Sequence, residues 1–175
     1  MKSNILLAHL DVATRYSQLS TARRLKVGAI VVKDDRIISI GYNGTPSGWD
    51  NNCENETVEY SSGGYGQPDR ETVILKTKPE VIHAEMNALM KLARSHESGD
   101  GATMFITHAP CAECAKHLIQ SGIAAVYYGE AYRDTTGLDF LRRGGIQVQQ
   151  IEREPWQPST ANVLAAKQSS KSDTT

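Results

Sequence analysis

The order of elements along this chain predicts an α/β domain with a mixed, largely parallel sheet covered by helices. Two observations carry the prediction. Apolar, β-branched runs alternate with stretches of helical periodicity through the second half of the chain, and such alternation builds sheets through crossover helices. Before them, two short β-branched runs are separated only by a polar pair, which reads as a hairpin. The length of 175 residues suits one domain with a core of ordinary size.

Taken in order, Ile5, Ala8, His9, Val12 and Tyr16 recur at helical spacing, so a first helix is expected over 4–19. Val27–Val32 and Arg36–Tyr42 form the hairpin, with Asp34-Asp35 at its turn. Residues 43–80 are rich in Gly, Asn, Pro and Ser, carry little periodicity and read as a long functional loop. Helical periodicity returns from Val81 to Arg94, with Met86, Leu89, Met90 and Ala93 in phase. A strand (Ala102–Thr107), a helix (Ala112–Ser121) ending at Gly122, a strand (Ala124–Tyr128), a helix (Leu138–Arg143) and a last strand (Ile146–Ile151) follow. One folded domain is taken as residues 1–157. The tail, 158–175, is dominated by Ser, Thr, Gln and Lys and reads as flexible.

Nineteen basic residues against twenty acidic ones leave a net charge of −1. That balance argues against nucleic acid as a partner, because polyanion binding draws on clustered Lys and Arg. A single phosphate needs only one or two arginines. No apolar run approaches the roughly 18 residues that span a bilayer, and the N-terminus reads as an amphipathic helix without a signal-peptide cleavage site. Two of the three cysteines stand in a C-x-x-C. In an intracellular chain that spacing favours metal or redox use over a disulfide framework. A cytoplasmic location is expected.

The chemistry concentrates at two helix heads, His83-Ala-Glu85 and Pro110-Cys111-Ala-Glu-Cys114. One His and two Cys make three zinc ligands, which leaves the fourth position open, as catalytic sites require. A helix N-terminus, with its free N–H groups and positive dipole end, favours thiolate over thiol. Glu85 sits two residues beyond His83, where a carboxylate can take a proton from water and pass it to a ring nitrogen. The bland alternatives are a structural zinc knuckle, with Cys53, His108 or His117 as fourth ligand, a redox cysteine pair, and an ordinary first-turn glutamate.

Together the two halves, H-x-E and P-C-x-x-C, resemble the signature of zinc deaminases of nucleobases. Over residues 5–151 the chain is similar to the cytidine deaminase superfamily. Gly41-Tyr-Asn-Gly-Thr-Pro46 looks like the GYNG-x-P segment of the dCMP deaminase family, and His83–Ala88, Ala115–Ile123 and Ala131-Tyr-Arg133 resemble it too. The resemblance implies a three-layer α/β/α fold with a five-stranded sheet. It also implies a catalytic Zn2+ and hydrolysis of dCMP to dUMP and ammonia, which supplies dUMP for thymidylate synthesis. A homohexamer activated by dCTP and inhibited by dTTP is implied as well, with Mg2+ accompanying a bound triphosphate effector.

Carried onto this sequence, the resemblance makes His83, Cys111 and Cys114 the zinc ligands and Glu85 the proton shuttle. It gives Arg24 the 5′-phosphate, Asn43 a sugar hydroxyl and Tyr132 closure over the substrate, with Ala84 and His108 also lining the substrate site. Gly41, Tyr42 and Gly44 would shape an effector loop. The residue types suit these roles unevenly. An Asn before Gly is also a turn residue, Arg23, Arg15 and Lys26 neighbour Arg24 as alternatives, and Tyr132 also suits a packing role. Some relatives carry a second, structural zinc on Cys and His of the long loop. Here residues 43–80 hold Cys53 but no His, so Cys53 reads as a free thiol. Deamination of another base, or nucleotide sensing without catalysis, are the competing functions.

Overall fold

In the computed structural model, residues 2–62, 70–132 and 134–152 are described; Arg133 and the tail at 158–175 lie outside them. The elements run α1 (Ser3–Ser17), β1 (Gly28–Lys33), β2 (Arg36–Tyr42), β3 (Glu54–Ser61), β4 (Arg70–Thr77), α2 (Ala84–Ala93), β5 (Thr103–His108), α3 (Ala112–Gln120), β6 (Ala125–Glu130), α4 (Thr136–Arg143) and β7 (Gln147–Gln150).

Five of the strands form one mixed sheet in the order β2-β1-β5-β6-β7. Asp34 and Asp35 turn the β1–β2 hairpin with positive φ at both residues (50° and 57°). That is the backbone of a two-residue turn whose twist matches the strands, and Asp tolerates it better than most residues. The sheet is five-stranded and mixed as expected, but not mostly parallel. The β2–β1 and β1–β5 pairs are antiparallel, and β5–β6 and β6–β7 are parallel. The helix-linked strands alone obey the crossover rule. The hairpin adds the two antiparallel pairs.

Helices cover both faces. On one, Leu6, Leu10 and Ala13 of α1 pack on Ile30, Val32, Phe105 and Tyr127. On the other, Ala84, Ala88, Leu89 and Leu92 of α2, Ala115 and Leu118 of α3 and Leu141 of α4 pack on Ala29, Val31, Met104, Ile106 and Val126. Burial of these side chains contributes most of the driving force, about 1.5–3 kcal/mol for each large aliphatic one. The buried stripes lie slightly off the predicted ones. In α1 the core takes Leu6, Leu10 and Ala13, while Ala8 is exposed. In α2, Met90 and Ala93 face out. With apolar residues on several sides of a short helix, periodicity gives the stripe only to within one residue.

The predicted loop over 43–80 is corrected. Much of it folds as the antiparallel ribbon β3–β4, with Val58 opposite Val73 and Thr57 opposite Ile74. Its strands are exposed nearly throughout. A ribbon wet on both faces has no buried side to impose an apolar–polar alternation, so it escaped a search for period two.

Candidate active site

His83 and Cys111 are the N-cap residues of α2 and α3, both with extended backbone, and Cys114 lies in the first turn of α3. The head of α2 is held against β2, where Gly41 meets the Ala84 backbone and Gly44 bridges Ile82, and α3 starts directly after β5. Gly137 supports this end of the molecule. A Cβ there would stand 2.0 Å from the carbonyl oxygen of Pro110, so only glycine lets α4 approach the Cys111 loop so closely.

The His83 Nδ1 lies 3.5 Å from Cys111 Sγ and 3.4 Å from Cys114 Sγ. Zinc bonds of ordinary length and tetrahedral angle would set nitrogen and sulfur roughly 3.6 Å apart. The donor set therefore fits the ion in type and spacing. These three residues form a metal-competent cluster whose ligand atoms all lie within 4.8 Å of one another. None of the candidate fourth ligands joins them. Cys53 is buried with Ala22 and Val81 and faces the Thr21 hydroxyl at 3.4 Å. His117 Nδ1 faces the Glu113 carbonyl at 2.7 Å. His108 is beside the cluster but turns Nδ1 toward Thr107. Cys53 is a free thiol, as expected.

The charges respond to one another. Hydrogen bonds from Cys114 and then His83 pull the Cys111 thiol down to about 3, while the same Cys111 partner, and then burial, push Cys114 strongly up. The hydrogen bond to Cys111 raises His83. A divalent ion held here would take both sulfurs as thiolates. Glu85 is buried, 4% exposed, and burial raises its carboxyl despite its own backbone N–H and His83. A buried carboxylate that can readily take up a proton suits a shuttle.

One cleft gathers the predicted substrate residues. Arg24, Asn43, Ala84, His108 and Tyr132 line it together with His83, Glu85 and Cys111. Arg24 Nη1 donates to Thr77 Oγ1 at 3.3 Å. Arg23 instead pairs with Glu56 on the surface, and Lys26 lies in a different depression with Leu10 and Thr107. Burial lowers the His108 imidazole against the pull of Glu130, which favours its neutral form. Asn43 is more committed than the sequence suggested. Its Oδ1 accepts the Val27 N–H at 2.8 Å and its Nδ2 donates to the Leu25 carbonyl at 2.9 Å.

Gly41, Tyr42 and Gly44 do not line this cleft. Gly41 lets β2 meet α2, since a Cβ would stand 2.1 Å from the Ala84 carbonyl oxygen. Tyr42 lies under Lys91, and Gly44 bridges Ile82 through its backbone. Glu54 and Thr77, which do line the cleft, escaped the sequence reading. Both stand on the exposed ribbon, and no local motif marks them.

A zinc-binding deaminase domain is the class that this fold and donor set define. The model of the cytidine and deoxycytidylate deaminase zinc-binding region matches residues 3–130, and the chain belongs to that family. It is 36% identical to the deoxycytidylate deaminase of Enterobacteria phage T2 over 85% of this chain and 93% of that one. The human deoxycytidylate deaminase is 32% identical over 72% of this chain and 65% of its own length. Among solved structures, the dCMP deaminase of cyanophage S-TIM5 in complex with dCMP and dUMP superimposes with a TM-score of 0.72. It is 42% identical and covers 86% of this chain and 98% of that one. No helix among the described residues is long and apolar enough to cross a membrane.

Proposed function

We propose that the protein hydrolyses dCMP to dUMP and ammonia, with Zn2+ held by His83, Cys111 and Cys114. The observation that carries this reading is the single cleft in which a buried Glu85 and two of the ligands stand beside Arg24, Asn43, His108 and Tyr132. Zinc supplies Lewis acidity, which makes water a nucleophile near neutral pH. The chain's own residues do the rest. Glu85 takes a proton as water adds to C4 of the cytosine, and hands it to N3. It then carries the proton of the new C4 hydroxyl to the exocyclic amine, the C4–N bond breaks as C4=O forms, and ammonia leaves. Burial, which raises the Glu85 carboxyl, lets this one group both accept and give a proton.

Arg24 selects the monophosphate. Its guanidinium makes no ion pair among the described residues, unlike that of Arg23, and its planar fork suits phosphate oxygens. Tyr132, 41% exposed at the rim of the cleft, closes over the bound nucleotide, and Ala84 and His108 shape the floor. The finer expectations follow from the family likeness. They are a cytoplasmic homohexamer, dCTP as activator and dTTP as inhibitor through the Gly41, Tyr42 and Gly44 loop, and Mg2+ bound with the triphosphate. That loop abuts α2, which carries Glu85, so an effector that favours one packing of it can bias the site.

The test is the fall in cytosine absorbance when zinc-loaded protein meets dCMP, CMP, deoxycytidine or dCTP. Rapid, chelator-sensitive loss with dCMP is expected. Equal rates on deoxycytidine, or none on any of the four, would reject the assignment.

A further inference from the structure

Glu54 is the first residue of β3 and is 2% exposed, although the rest of its strand is wet. Burial of a carboxylate is costly unless hydrogen bonds offset it. One oxygen, Oε1, accepts the backbone N–H of Arg23 at 3.1 Å and that of Arg24 at 3.2 Å. Among the described residues the other oxygen, Oε2, has no partner. Yet no partnerless side-chain oxygen is sealed from solvent there, so Oε2 keeps a small accessible surface, and Glu54 is among the residues that line the cleft. On the wall of the substrate site, two backbone N–H groups thus hold a carboxylate whose second oxygen is unpartnered.

A carboxylate offers nothing to a phosphate or to a carbonyl and wants a donor. Resting on the reading of the substrate as dCMP, the choice of donor is narrow. The base is engaged at the other end of the cleft, by Glu85 and the metal ligands. The sugar of a 2′-deoxynucleotide carries one hydroxyl, at the 3′ position. Asn43 is the rival for it; its amide already bonds the Val27 N–H and the Leu25 carbonyl, and the N–H that remains can donate to a hydroxyl that itself donates to Glu54. We infer that Glu54 is a specificity-determining residue that accepts a hydrogen bond from the sugar 3′-hydroxyl, while Asn43 fixes the Arg24 segment from its other side.

The placement also explains why the acid stands beside a phosphate-binding arginine without neutralising it. Glu54 meets the backbone of Arg24, whereas the guanidinium reaches Thr77. One turn therefore presents a cation for phosphate, and the acid that braces the turn presents an acceptor for the hydroxyl. A site built to bond a substrate hydroxyl penalises the analogue that lacks it, because a buried charged group is left without its partner.

The experiment compares kcat/KM for dCMP and for 2′,3′-dideoxycytidine 5′-monophosphate in the wild type and in Glu54→Gln. The glutamine keeps a carbonyl oxygen for the two backbone N–H groups, and circular dichroism with zinc content checks that the fold is kept. Wild type should prefer dCMP by about 10- to 100-fold, the range for a hydrogen bond to a charged group. In the variant that preference should shrink to about threefold or less, the level of a weak neutral bond. A wild type indifferent to the 3′-hydroxyl overturns the inference whether or not the variant folds. So does a folded variant that keeps the full preference. Failure of the wild type on dCMP itself would instead reject the substrate reading, and this inference with it.

Discussion

The two ends of the cleft are built in different ways. At the metal end, His83, Glu85, Cys111 and Cys114 stand at the heads of two helices, one packed on β2 and the other starting directly after β5. Each ligand group is contiguous in sequence, and the scaffold is the rigid core. At the nucleotide end, Arg24 and Asn43 stand on connecting segments, and Glu54 and Thr77 stand at the two paired ends of an exposed ribbon. Those four residues come from four stretches of chain, and hydrogen bonds to one another and to the backbone hold them in place. Chemistry is mounted on the core and selectivity on the loops, where substitution costs the fold least.

The comparison breaks most sharply at Glu85. Glu85→Gln should keep zinc and fold while kcat falls by about 10²–10⁴-fold, the usual worth of a positioned acid–base; metal analysis beside steady-state rates checks both. Cys111→Ala should remove stoichiometric zinc and activity together, since two protein donors hold the ion poorly, and a variant that kept both would show that the cluster is not the ligand set. At the other end the expected losses are smaller and of another kind. Arg24→Ala should raise KM for dCMP by about 10- to 100-fold, the worth of one charged phosphate contact, and leave deoxycytidine nearly unchanged. Equal effects on both would move phosphate recognition away from Arg24.

Gly41→Ala probes the seam between the two ends. Its Cβ would meet the Ala84 carbonyl at 2.1 Å, so a loss of about 1–3 kcal/mol is expected, read as a lowered Tm. An unchanged Tm would mean that β2 and α2 are less closely packed than described. Smallest of all, Val73→Thr on the exposed ribbon should change chain stability by less than about 0.5 kcal/mol. A large drop in thermal scans would reveal that the ribbon is covered in solution.

The same contrast governs what could be read before the structure. His83, Glu85, Cys111 and Cys114 were legible because one turn of helix places neighbours in sequence around one point. The strand and helix order of the second half was legible for a similar reason, since each element buries a face and so carries a period. Glu54 and Thr77 pair across a ribbon of exposed side chains, where no burial writes a pattern into the sequence. Asn43 was legible as a site residue by resemblance, but its two backbone bonds depend on where Leu25 and Val27 fall in space. Nothing in the sequence near Gly41 indicated that it packs against α2.

X-ray absorption at the zinc edge of the purified protein tests the central claim most directly. Two sulfurs and one imidazole nitrogen as the only protein donors, at one ion per chain, is the predicted outcome. A fourth side chain on the ion, or protein purified under zinc-replete conditions with no ion at all, would contradict it.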